Sequence, residues 1–453
     1  MGSSIQEYLH PGKRVHLCGI GGVSMSPLAE VLHSMGLRVQ GSDMQDSPVV
    51  AHLRSLGIPI TVGHQAQAVE GADFLIRTAA VHDDNPEIRH AREEGIPVFE
   101  RAEAWGAIMQ GYRNALCIAG THGKTTTTSM ATHIFMAAGA DPTVMIGGTL
   151  PMLHSGYRVG AGDTIILESC EYCNSFLHFF PTVAVVLNVE ADHLDFFKDL
   201  ADVEHSFRRF AQLVPPDGHV VANADDPGAM EALQGLPLFT FGMKSPADSR
   251  VENLQWEEGL PSFDVVIHDQ TYCHVALLVG GIHNVMNALA AATAAYVLGL
   301  PGQAVSEGLA SFTGAGRRFE YKGTYHGAKI YDDYAHHPGE LHALLQMARS
   351  LGYQRIICAF QPHTYSRTRA LFDDFVRELQ AADVVLLAEI YAAREKNTIG
   401  ISSKDLAAQL PGSIYCPTLE DVTHHLRTLA RDGDLILTVG AGNIYTAGEA
   451  LLH

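Results

Sequence analysis

The apolar residues of the chain fall into short runs, and most runs are followed by a polar turn and then by a segment with helical periodicity. The first run, "RVHLCG" (14–19), precedes a glycine turn and an apolar-periodic segment from Pro27 to Met35. Two further runs follow in "LRVQGSD" and "FLIRTAA". Runs of this length predict strands, and their alternation with helices predicts a parallel sheet with helices on its faces.

Two more sets of runs follow along the chain. The second contains "NALCIAG", "DTIILESCE" and "TVAVVLNVEADH", and the third contains "AKIYDDYAHHP", "RIICAFQPH", "ADVVLLAEIY" and "DLILTVGAGN", with helix-like segments "HALLQMARSLG" and "TRALFDDFVRELQAA". The stretch "KSPADSRVENLQWEEGLPSFDVVIHDQ" predicts a hairpin attached to the second set. Because 453 residues exceed one ordinary core, we expect an α/β protein with three domains, 1–110, 111–314 and 315–453.

Composition narrows the possible partners. The chain has 30 Lys and Arg against 50 Asp and Glu, a net charge of −20, which argues against nucleic acid or an anionic membrane as the main partner. No apolar run approaches the roughly 18 residues of a membrane span, and the N-terminus lacks the apolar core of a signal peptide. With only seven cysteines, an odd number, we expect a cytoplasmic protein without membrane insertion.

The stretch "CIAGTHGKTTTTSM" (117–130) predicts a phosphate-binding loop between a strand and a helix. Its main-chain amides from Gly120 to Lys124 can point at a polyphosphate, and the following helix adds its positive end. Lys124 can neutralise the β and γ oxygens, and the hydroxyl of Thr125 can bind Mg²⁺. The loop therefore predicts ATP or GTP binding, although only two residues separate its glycines instead of the usual four.

Acidic residues follow the next two predicted strands. Glu168 and Glu171 end one, and Asp192 and His193 end the other. Because the carboxyl ends of parallel strands meet at one edge of a sheet, these residues predict a site for Mg²⁺, with two ions expected for phosphoryl chemistry. Each carboxylate taken alone is equally consistent with a solvated loop.

Two other patterns are ambiguous. The pair Cys170 and Cys173 has C-x-x-C spacing, but a single pair is more typical of small packed side chains than of zinc or redox chemistry. After the first strand, Gly19, Gly21 and Ser24 nearly complete G-x-G-x-x-G, and Asp43 follows at the distance of a ribose-binding acid. This turn fits NAD, and it fits a nucleotide-diphosphate substrate equally well.

Taken together, ten motifs in this order resemble the Mur ligase family, the ATP-dependent amino-acid ligases of peptidoglycan precursor synthesis, and the resemblance covers nearly the whole chain. The motifs are "GIGGVSMS", "GSD", "DNPEI", "GTHGKTTTT", "NVEADHLD", "GIHNVMNALAA", "RRFE", "YDDYAHHP", "FQPHTYSRT" and "GAGN". The resemblance implies an N-terminal Rossmann-like domain for a UDP-sugar, a central ATPase domain with a mostly parallel sheet, and a C-terminal Rossmann-like domain.

The resemblance also implies roles for individual residues. The UDP part of the substrate would contact Gly19, Ile20, Gly21, Gly22, Ser42, Asp43, Thr78, Ala79 and Ala80. ATP would contact Gly120, Thr121, His122, Gly123, Lys124, Thr125, Thr126, His283, Asn284, Asn287, Arg318 and either Asp332 or Asp333. Mg²⁺ would contact Thr125, Glu171 and His193. The lactyl carboxylate and the incoming amino acid would contact Tyr334, His336, His337, His363 and Arg367. Lys124, Arg318, His336 and His363 would be catalytic.

The implied reaction joins L-alanine to UDP-N-acetylmuramate with ATP and Mg²⁺, in a monomer or weak homodimer. Some residues depart from the family pattern: Cys170 stands where relatives carry a carboxylate, which puts Glu168 in doubt, and Thr364 replaces an arginine. The stretch "EHSFRRF" offers no lysine for carbamylation, in agreement with the alanine-adding branch. Alternatives are a ligase that attaches a recycled murein tripeptide, a nicotinamide-dependent oxidoreductase, and a switch or motor ATPase.

Overall fold

Three sheets of strands, each flanked by helices, organise the molecule. The computed structural model describes residues 4–78, 81–194, 196–393 and 395–453. The sheets have five, ten and six strands and follow one another along the chain. This arrangement confirms the predicted α/β fold class.

The first sheet is wholly parallel, with strand order β3-β2-β1-β4-β5. Its strands, β1 to β5, are Arg14–Cys18, Arg38–Asp43, Ile60–Val62, Phe74–Arg77 and Val98–Glu100. The helices α1 to α4 are Met25–Ser34, Pro48–Ser55, Pro86–Glu93 and Arg101–Met109. The order reverses at β1, so the turn after β1 lies at a switch point where such sheets bind ligands.

The second sheet has the order β15-β14-β13-β12-β11-β10-β6-β9-β7-β8. Its strands, β6 to β15, are Asn114–Ala119, Thr143–Leu150, Ser155–Arg158, Thr164–Glu168, Val183–Val186, His219–Asn223, Phe239–Gly242, Ser249–Glu257, Leu260–Ile267 and Gln270–Ala276. The helices α5 to α9 are Lys124–Ala137, Leu200–Ala211, Pro227–Ala232, Ile282–Val297 and Gly302–Ala310. The predicted hairpin, β13 with β14, continues this sheet because β13 pairs in parallel with β12.

The third sheet has the order β16-β17-β21-β18-β19-β20, and only β16 and β17 pair antiparallel in it. Its strands, β16 to β21, are Glu320–Tyr325, Ala328–Asp333, Arg355–Phe360, Val384–Ala388, Ile414–Cys416 and Asp434–Val439. The helices α10 to α15 are Pro338–Ser350, Tyr365–Ala370, Phe372–Leu379, Ser403–Gln409, Leu419–Leu429 and Tyr445–Glu449. Short 3₁₀ turns elsewhere are Ile5–Glu7, Ala66–Val69, Pro151–Leu153 and Tyr172–His178.

Two predicted elements differ in extent. The segment "TRALFDDFVRELQAA" forms two helices, because Leu371 leaves the helical region between α11 and α12 with φ −112° and ψ 25°. Its side chain packs against the core of the third sheet, which tertiary contact favours over continued helix. The strand predicted in "FLIRTAA" ends at Arg77, and Ala79 and Ala80 lie outside the described residues.

A continuous apolar core joins the first two sheets. Each sheet with its helices is called a unit, numbered in chain order. The core runs from Leu17 and Trp105 in the first unit to Phe176 and Phe210 in the second, whose stacked rings have centroids 4.5 Å apart. Gly106 of α4 lies directly against the carbonyl of His178, so a side chain there would collide with it. This packing fixes the Tyr172–His178 turn beside the end of β9. Among the described residues, no helix is long and apolar enough to cross a membrane.

Helix α5, which follows the phosphate loop, is held by its neighbours α8 and α9. At Gly308 of α9 the two backbones approach so closely that a Cβ would stand 2.5 Å from the Cα of Ile134. The loop therefore sits on a helix whose position is set by backbone contact rather than by adaptable side chains.

We expect Gly308→Ala to destabilise the protein by about 1–3 kcal/mol, because the new methyl group overpacks the contact between α9 and α5. The midpoint of urea unfolding measures this change. Gln303→Ala, on the exposed face of the same helix, is the control and should change stability by less than about 0.5 kcal/mol. An unchanged midpoint in Gly308→Ala would show that the two helices separate easily.

Candidate functional site

The phosphate loop connects β6 to α5 and is shaped by two glycines. Gly120 and Gly123 have φ of 153° and 82°, conformations that a side chain would strain. Asn188, after β10, holds the loop, because its carbonyl accepts from the amide of Thr121 at 3.1 Å and its Oδ1 accepts from that of His122 at 2.7 Å. The open end of α5 thus faces the point where β6, β9 and β10 end.

Lys124 begins α5 and turns its ammonium group back towards the loop. It donates to the carbonyls of Gly120 and Thr121 and lies 3.1 Å from Oε2 of Glu171, which is 2% exposed. Burial favours the neutral amine, but the negative charge of Glu171 outweighs it and holds the pKa of Lys124 above its ordinary range. Lys124 is therefore a permanent cation at the mouth of the loop.

Thr125 and Glu168 form the second part of the loop's surroundings. The Thr125 hydroxyl donates to Oε1 of Glu168 at 3.1 Å, and the amide of Gly147 donates to Oε2 at 2.6 Å. Glu168, which the departure at Cys170 put in doubt, therefore lies in contact with the hydroxyl predicted to bind Mg²⁺. Thr126 lies one residue further along α5 and is half-buried.

A third group of donors lies beside Lys124. Nε2 of His193 stands 3.7 Å from Oε1 of Glu171, and the ring of Tyr172 packs on His193 with centroids 4.7 Å apart. Donor atoms of Cys170, Glu171 and His193 all lie within 4.8 Å of one another. The oxygens of Thr125 and the two glutamates suit Mg²⁺, so the donor set fits the ion that the loop predicts.

The start of α8 closes the other side of the loop. Oδ1 of Asn287 accepts from the hydroxyl of Thr127 at 3.2 Å and lies so near Gly123 that a Cβ there would be 2.6 Å away. Asn284 donates to the carbonyl of Gly280 at 2.7 Å and so caps the turn. Burial lowers the pKa of His283 to about 4, so this imidazole is neutral and can serve as a hydrogen-bond partner.

Arg318 comes from the third unit, in a turn held by Asp333. The carboxylate of Asp333 accepts from the amides of Phe319 and Ala335, each at 2.7 Å. Its neighbour Asp332 points away from this turn and is fully buried against Arg317 at 2.8 Å and Thr438 at 2.8 Å. Of the two alternatives, Asp333 is the one adjoining Arg318.

Glu340, in the first turn of α10, connects the second and third units. Oε1 lies 3.5 Å from Nδ1 of His122 and 3.8 Å from Nη1 of Arg318, while Oε2 accepts from the amide of His336 at 2.9 Å. Nε2 of His122 also lies 3.2 Å from Oε2 of Glu190. Burial disfavours the imidazolium, but these two carboxylates outweigh it and raise the pKa of His122 to about 9.

Two histidines and an arginine face the loop from the third unit. Burial lowers the pKa of His336 to about 3, and its Nδ1 lies 3.0 Å from the carbonyl of Tyr334. Arg367 lies 3.0 Å from Oδ1 of Asp192 and donates to Nδ1 of His363 at 3.3 Å. Asp192 therefore contacts the third unit.

Tyr334 and His337 support this face. The guanidinium groups of Arg317 and Arg318 lie over the ring of Tyr334 at 4.9 and 5.4 Å. His337 caps α10 and packs its ring on His122 with centroids 4.8 Å apart. The residues predicted for ATP, metal and amino acid are thus brought to one place.

The first glycine turn lies farther along the same cleft. The amides of Gly19 and Ile20 donate to the carbonyl of Ser42 at 2.9 Å, and the amide of Gly21 donates to Asp43 at 2.9 Å. The side chain of Ser42 points inward, donating to Glu87 at 2.7 Å. Gly22 closes the turn on Gly19. Thr78 lies beside Gly19 at the end of β4, and the predicted contacts Ala79 and Ala80 lie outside the described residues.

A cavity of about 130 Å³ connects the two regions. It is lined by Ser24 after the glycine turn, by Trp105 and Arg101 of α4, and by Glu168 and Cys170. Arg101 contacts the hydroxyl of Ser24. The cavity thus extends from the first glycine turn to the predicted metal donors.

Family profiles match all three units in order. The profile of the Mur ligase family, catalytic domain, matches residues 14–113, that of the Mur ligase middle domain matches 118–295, and that of the Mur ligase, glutamate ligase domain, matches 317–442. A UDP-N-acetylmuramate–L-alanine ligase of Clostridium novyi (strain NT) is 44% identical over 447 residues, covering 97% of both chains. The chain belongs to the Mur ligase family.

Solved structures of this family have the same fold. The UDP-N-acetylmuramate–alanine ligase MurC of Thermotoga maritima matches with a TM-score of 0.81 and 30% identity, over 97% of this chain and 98% of that one. A murein peptide ligase of Psychrobacter arcticus matches with a TM-score of 0.72 and 23% identity, over 97% and 98%. The first similarity extends to sequence, while the second shows the fold alone.

Sequence reasoning missed three residues of this Mur ligase site. Asn188 and Glu190 lie inside the motif "NVEADHLD", in which the sequence analysis predicts roles only for Asp192 and His193. Glu340 stands three residues after His337, which is the spacing of a helix capping box. In the sequence, capping alone accounts for a glutamate at this position, so nothing there indicates a role in the site. Only the contact between two units reveals its other partners.

The pKa of His122 predicts a pH effect on this Mur ligase. Its pKa is about 9 in the folded protein against an ordinary value of 6.5, so between these values the folded state holds a proton that the unfolded state has lost. Stability should therefore fall as pH rises through this window. We expect His122→Asn to flatten the dependence of the melting temperature on pH.

His205→Asn, which changes an exposed histidine of α6, is the control and should keep the wild-type slope. Glu340→Gln should lower the slope in part, because Glu190 remains. A slope unchanged in His122→Asn would contradict the shifted titration.

Proposed function

We propose that this Mur ligase joins L-alanine to the lactyl carboxylate of UDP-N-acetylmuramate, with ATP, in peptidoglycan precursor synthesis. The supporting observation is the convergence of Lys124, Arg318 and the glutamates at one end of a cavity that reaches the first glycine turn. A phosphate site and a sugar-nucleotide site connected in this way suit transfer between ATP and a UDP-linked acid. The 44% identity to ligases of this name over 97% of the chain supports the same activity.

The first step overcomes the repulsion between two anions. A lactyl carboxylate oxygen attacks the γ-phosphorus of ATP, ADP leaves, and an acyl phosphate results. Lys124, held as a cation by Glu171, and Arg318, reaching in from the third unit, lie where they can offset the charge on the phosphates. Much of the catalysis is therefore electrostatic positioning by groups that are already in place.

We further propose that Mg²⁺, as two ions, is held by Thr125, Glu171 and His193, with Glu168 as an additional ligand. When bound, the ions neutralise phosphate charge. A metal at Glu171 would compete with Lys124 for this carboxylate, which would leave the ammonium group of Lys124 available to the phosphates.

The second step needs a base for the ammonium group of alanine, and two histidines are possible. At His336, Nδ1 faces the carbonyl of Tyr334, which can only accept, so Nδ1 carries the proton and Nε2 has a free lone pair. At His363, Nδ1 accepts from Arg367, which leaves the proton on Nε2. We therefore assign His336 to the amine: burial keeps its imidazole neutral, so Nε2 accepts a hydrogen bond from the amino group. The excess proton of the ammonium group passes on to solvent, the amine attacks the acyl phosphate, and phosphate leaves.

Arg367 is assigned to the carboxylate of alanine. Its guanidinium can bind a carboxylate through two parallel hydrogen bonds. In the structure Nε and Nη2 of Arg367 both donate to Oδ1 of Asp192, at 3.1 and 3.0 Å. His363 and Tyr334 would line the same pocket. The nicotinamide-dependent oxidoreductase, an alternative that rests on the first glycine turn and Asp43, leaves the phosphate loop and its acidic neighbours without a role.

The murein-tripeptide ligase remains the alternative nearest in chemistry, and it is not favoured. The relatives that support alanine addition share 44% identity, whereas the murein peptide ligase from Psychrobacter arcticus shares 23%. A motor or switch ATPase would not require the cavity towards the first glycine turn.

The domain limits at residues 110 and 314, a cytoplasmic location, and a monomer or weak homodimer stay predictions. The predicted limits fall in segments without a helix or strand, one between Met109 and Asn114 and one between Ala310 and Glu320.

The function is tested by phosphate release from ATP and Mg²⁺ in the presence of UDP-N-acetylmuramate. We expect strong stimulation by L-alanine, with formation of the amide seen by mass spectrometry, and little by L-Ala-γ-D-Glu-diaminopimelate. Stimulation by the tripeptide alone would move the protein to murein recycling. Phosphate release that ignores the sugar would refute the ligase assignment.

Replacement of the loop cation gives a second test. Lys124→Ala should lower kcat by about 100- to 1,000-fold, because a preorganised charge on the transferring phosphoryl group is lost. Lys244→Ala, an exposed lysine of the same unit, should retain full activity. Equal activity in Lys124→Ala and the control would exclude the proposed role of Lys124.

A further inference from the structure

The loops that follow β9 and β10 bring together a donor set that magnesium chemistry does not explain. Cys170 contributes a thiol, Glu171 a carboxylate and His193 an imidazole, and their donor atoms lie within 4.8 Å of one another. Mg²⁺ prefers oxygen ligands, so it has no use for the sulfur of Cys170. Thiol, imidazole and carboxylate together are the donors that zinc and related ions select.

We propose that Cys170, Glu171 and His193 form a site for one thiophilic divalent ion of the zinc class, which competes with Mg²⁺ and Lys124 for Glu171. The site would supply three protein ligands and leave a fourth position for water or a phosphate oxygen, as in catalytic zinc sites. This use of Cys170 goes beyond the proposed ligase activity, and it does not depend on the identity of the sugar or amino acid.

The measured spacing suits such an ion. Ligands at about 2.0–2.3 Å from a tetrahedral zinc ion stand roughly 3.3–3.8 Å apart. Nε2 of His193 and Oε1 of Glu171 are 3.7 Å apart, within this range. Cys170 also lines the cavity that leads to the first glycine turn.

The surroundings hold these side chains in place. The carbonyl of Cys170 accepts from the amide of Phe176 at 3.2 Å, and Phe176 is buried against Phe207 and Phe210. The ring of His193 packs on Tyr172. The ammonium group of Lys124 already occupies Glu171, so an incoming ion replaces one cation with another at the same carboxylate.

Two other groups of possible ligands in the described residues are less suitable. In the first, Cys18 and Glu87 are fully buried, and Glu87 already accepts from Ser42 and lies 3.2 Å from His16. The second, which includes His122, has no sulfur, and its charge is already balanced by Glu190 and Glu340. Cys170 is partly exposed, whereas Cys18 of the first group is buried.

Binding proceeds without any redox step. The Cys170 sulfur forms a bond to the ion, its S–H bond breaks, and the proton passes to solvent.

The test is a titration of the purified protein, free of nucleotide and sugar, with Co²⁺ as a coloured substitute for Zn²⁺. We expect one equivalent of Co²⁺ to produce a thiolate-to-cobalt charge-transfer band in the near ultraviolet, and Zn²⁺ to remove it. Cys170→Ser should lose the band and weaken Zn²⁺ binding by at least the roughly 10- to 100-fold cost known for losing an outer-sphere partner. Cys173→Ser, in the same turn but outside the donor group, should keep both.

His193→Gln provides a second variant that alters the cobalt spectrum while leaving the thiol. A band that persists in Cys170→Ser would come from Cys18 and would overturn the proposal, as would its loss in Cys173→Ser or no band in the wild type. Ligase activity is measured separately with Mg²⁺, so failure of the metal titration leaves the proposed function standing, and the reverse also holds.

Discussion

The pairing of Lys124 with Glu171 constrains everything around the phosphate loop. An ammonium group taken out of water is costly unless a carboxylate compensates it, and here the compensating carboxylate is also a predicted metal ligand. In the proposed function, a metal bound at Glu171 would take the place of Lys124 at this carboxylate, and Lys124 would then face the phosphates of ATP. No buried charge would be left without a partner in that arrangement.

Paired charges also connect the second and third units. Glu340 faces the imidazolium of His122 on one side and Arg318 on the other, so the arrival of the third unit brings both a negative and a positive group to the loop. Asp192 and Arg367 form a second contact across this boundary. These ion pairs are largely buried, so removal of one partner leaves the charge of the other uncompensated. In the proposed function, these contacts would hold the third unit over the phosphate loop, where it would shield an acyl phosphate from water.

Much of this organisation could be predicted from the sequence, because it depends on local patterns. The strand before Gly120, the glycines, Lys124 and Thr125 lie within one short stretch, and hydrophobic runs such as "VAVV" mark strands buried on both faces. Residues whose roles arise from contacts between units could not be predicted. Glu340 reads as a helix cap, Asn188 as a strand end, and Ser42, predicted to meet the substrate, turns inward to Glu87 because that buried carboxylate needs donors.

His336 and His363 show how the neighbouring hydrogen-bonding groups determine a tautomer that the sequence does not predict. His336 and His363 are equivalent as residue types, and both lie in loops that follow strands. A carbonyl beside Nδ1 of His336 and a guanidinium beside Nδ1 of His363 impose opposite tautomers, so only His336 presents a lone pair on Nε2. The contact with Arg367 thus leaves the proton of His363 on Nε2. In the proposed function, the same Arg367 would bind the carboxylate of the amino acid, and the lone pair at Nε2 of His336 would face its amine.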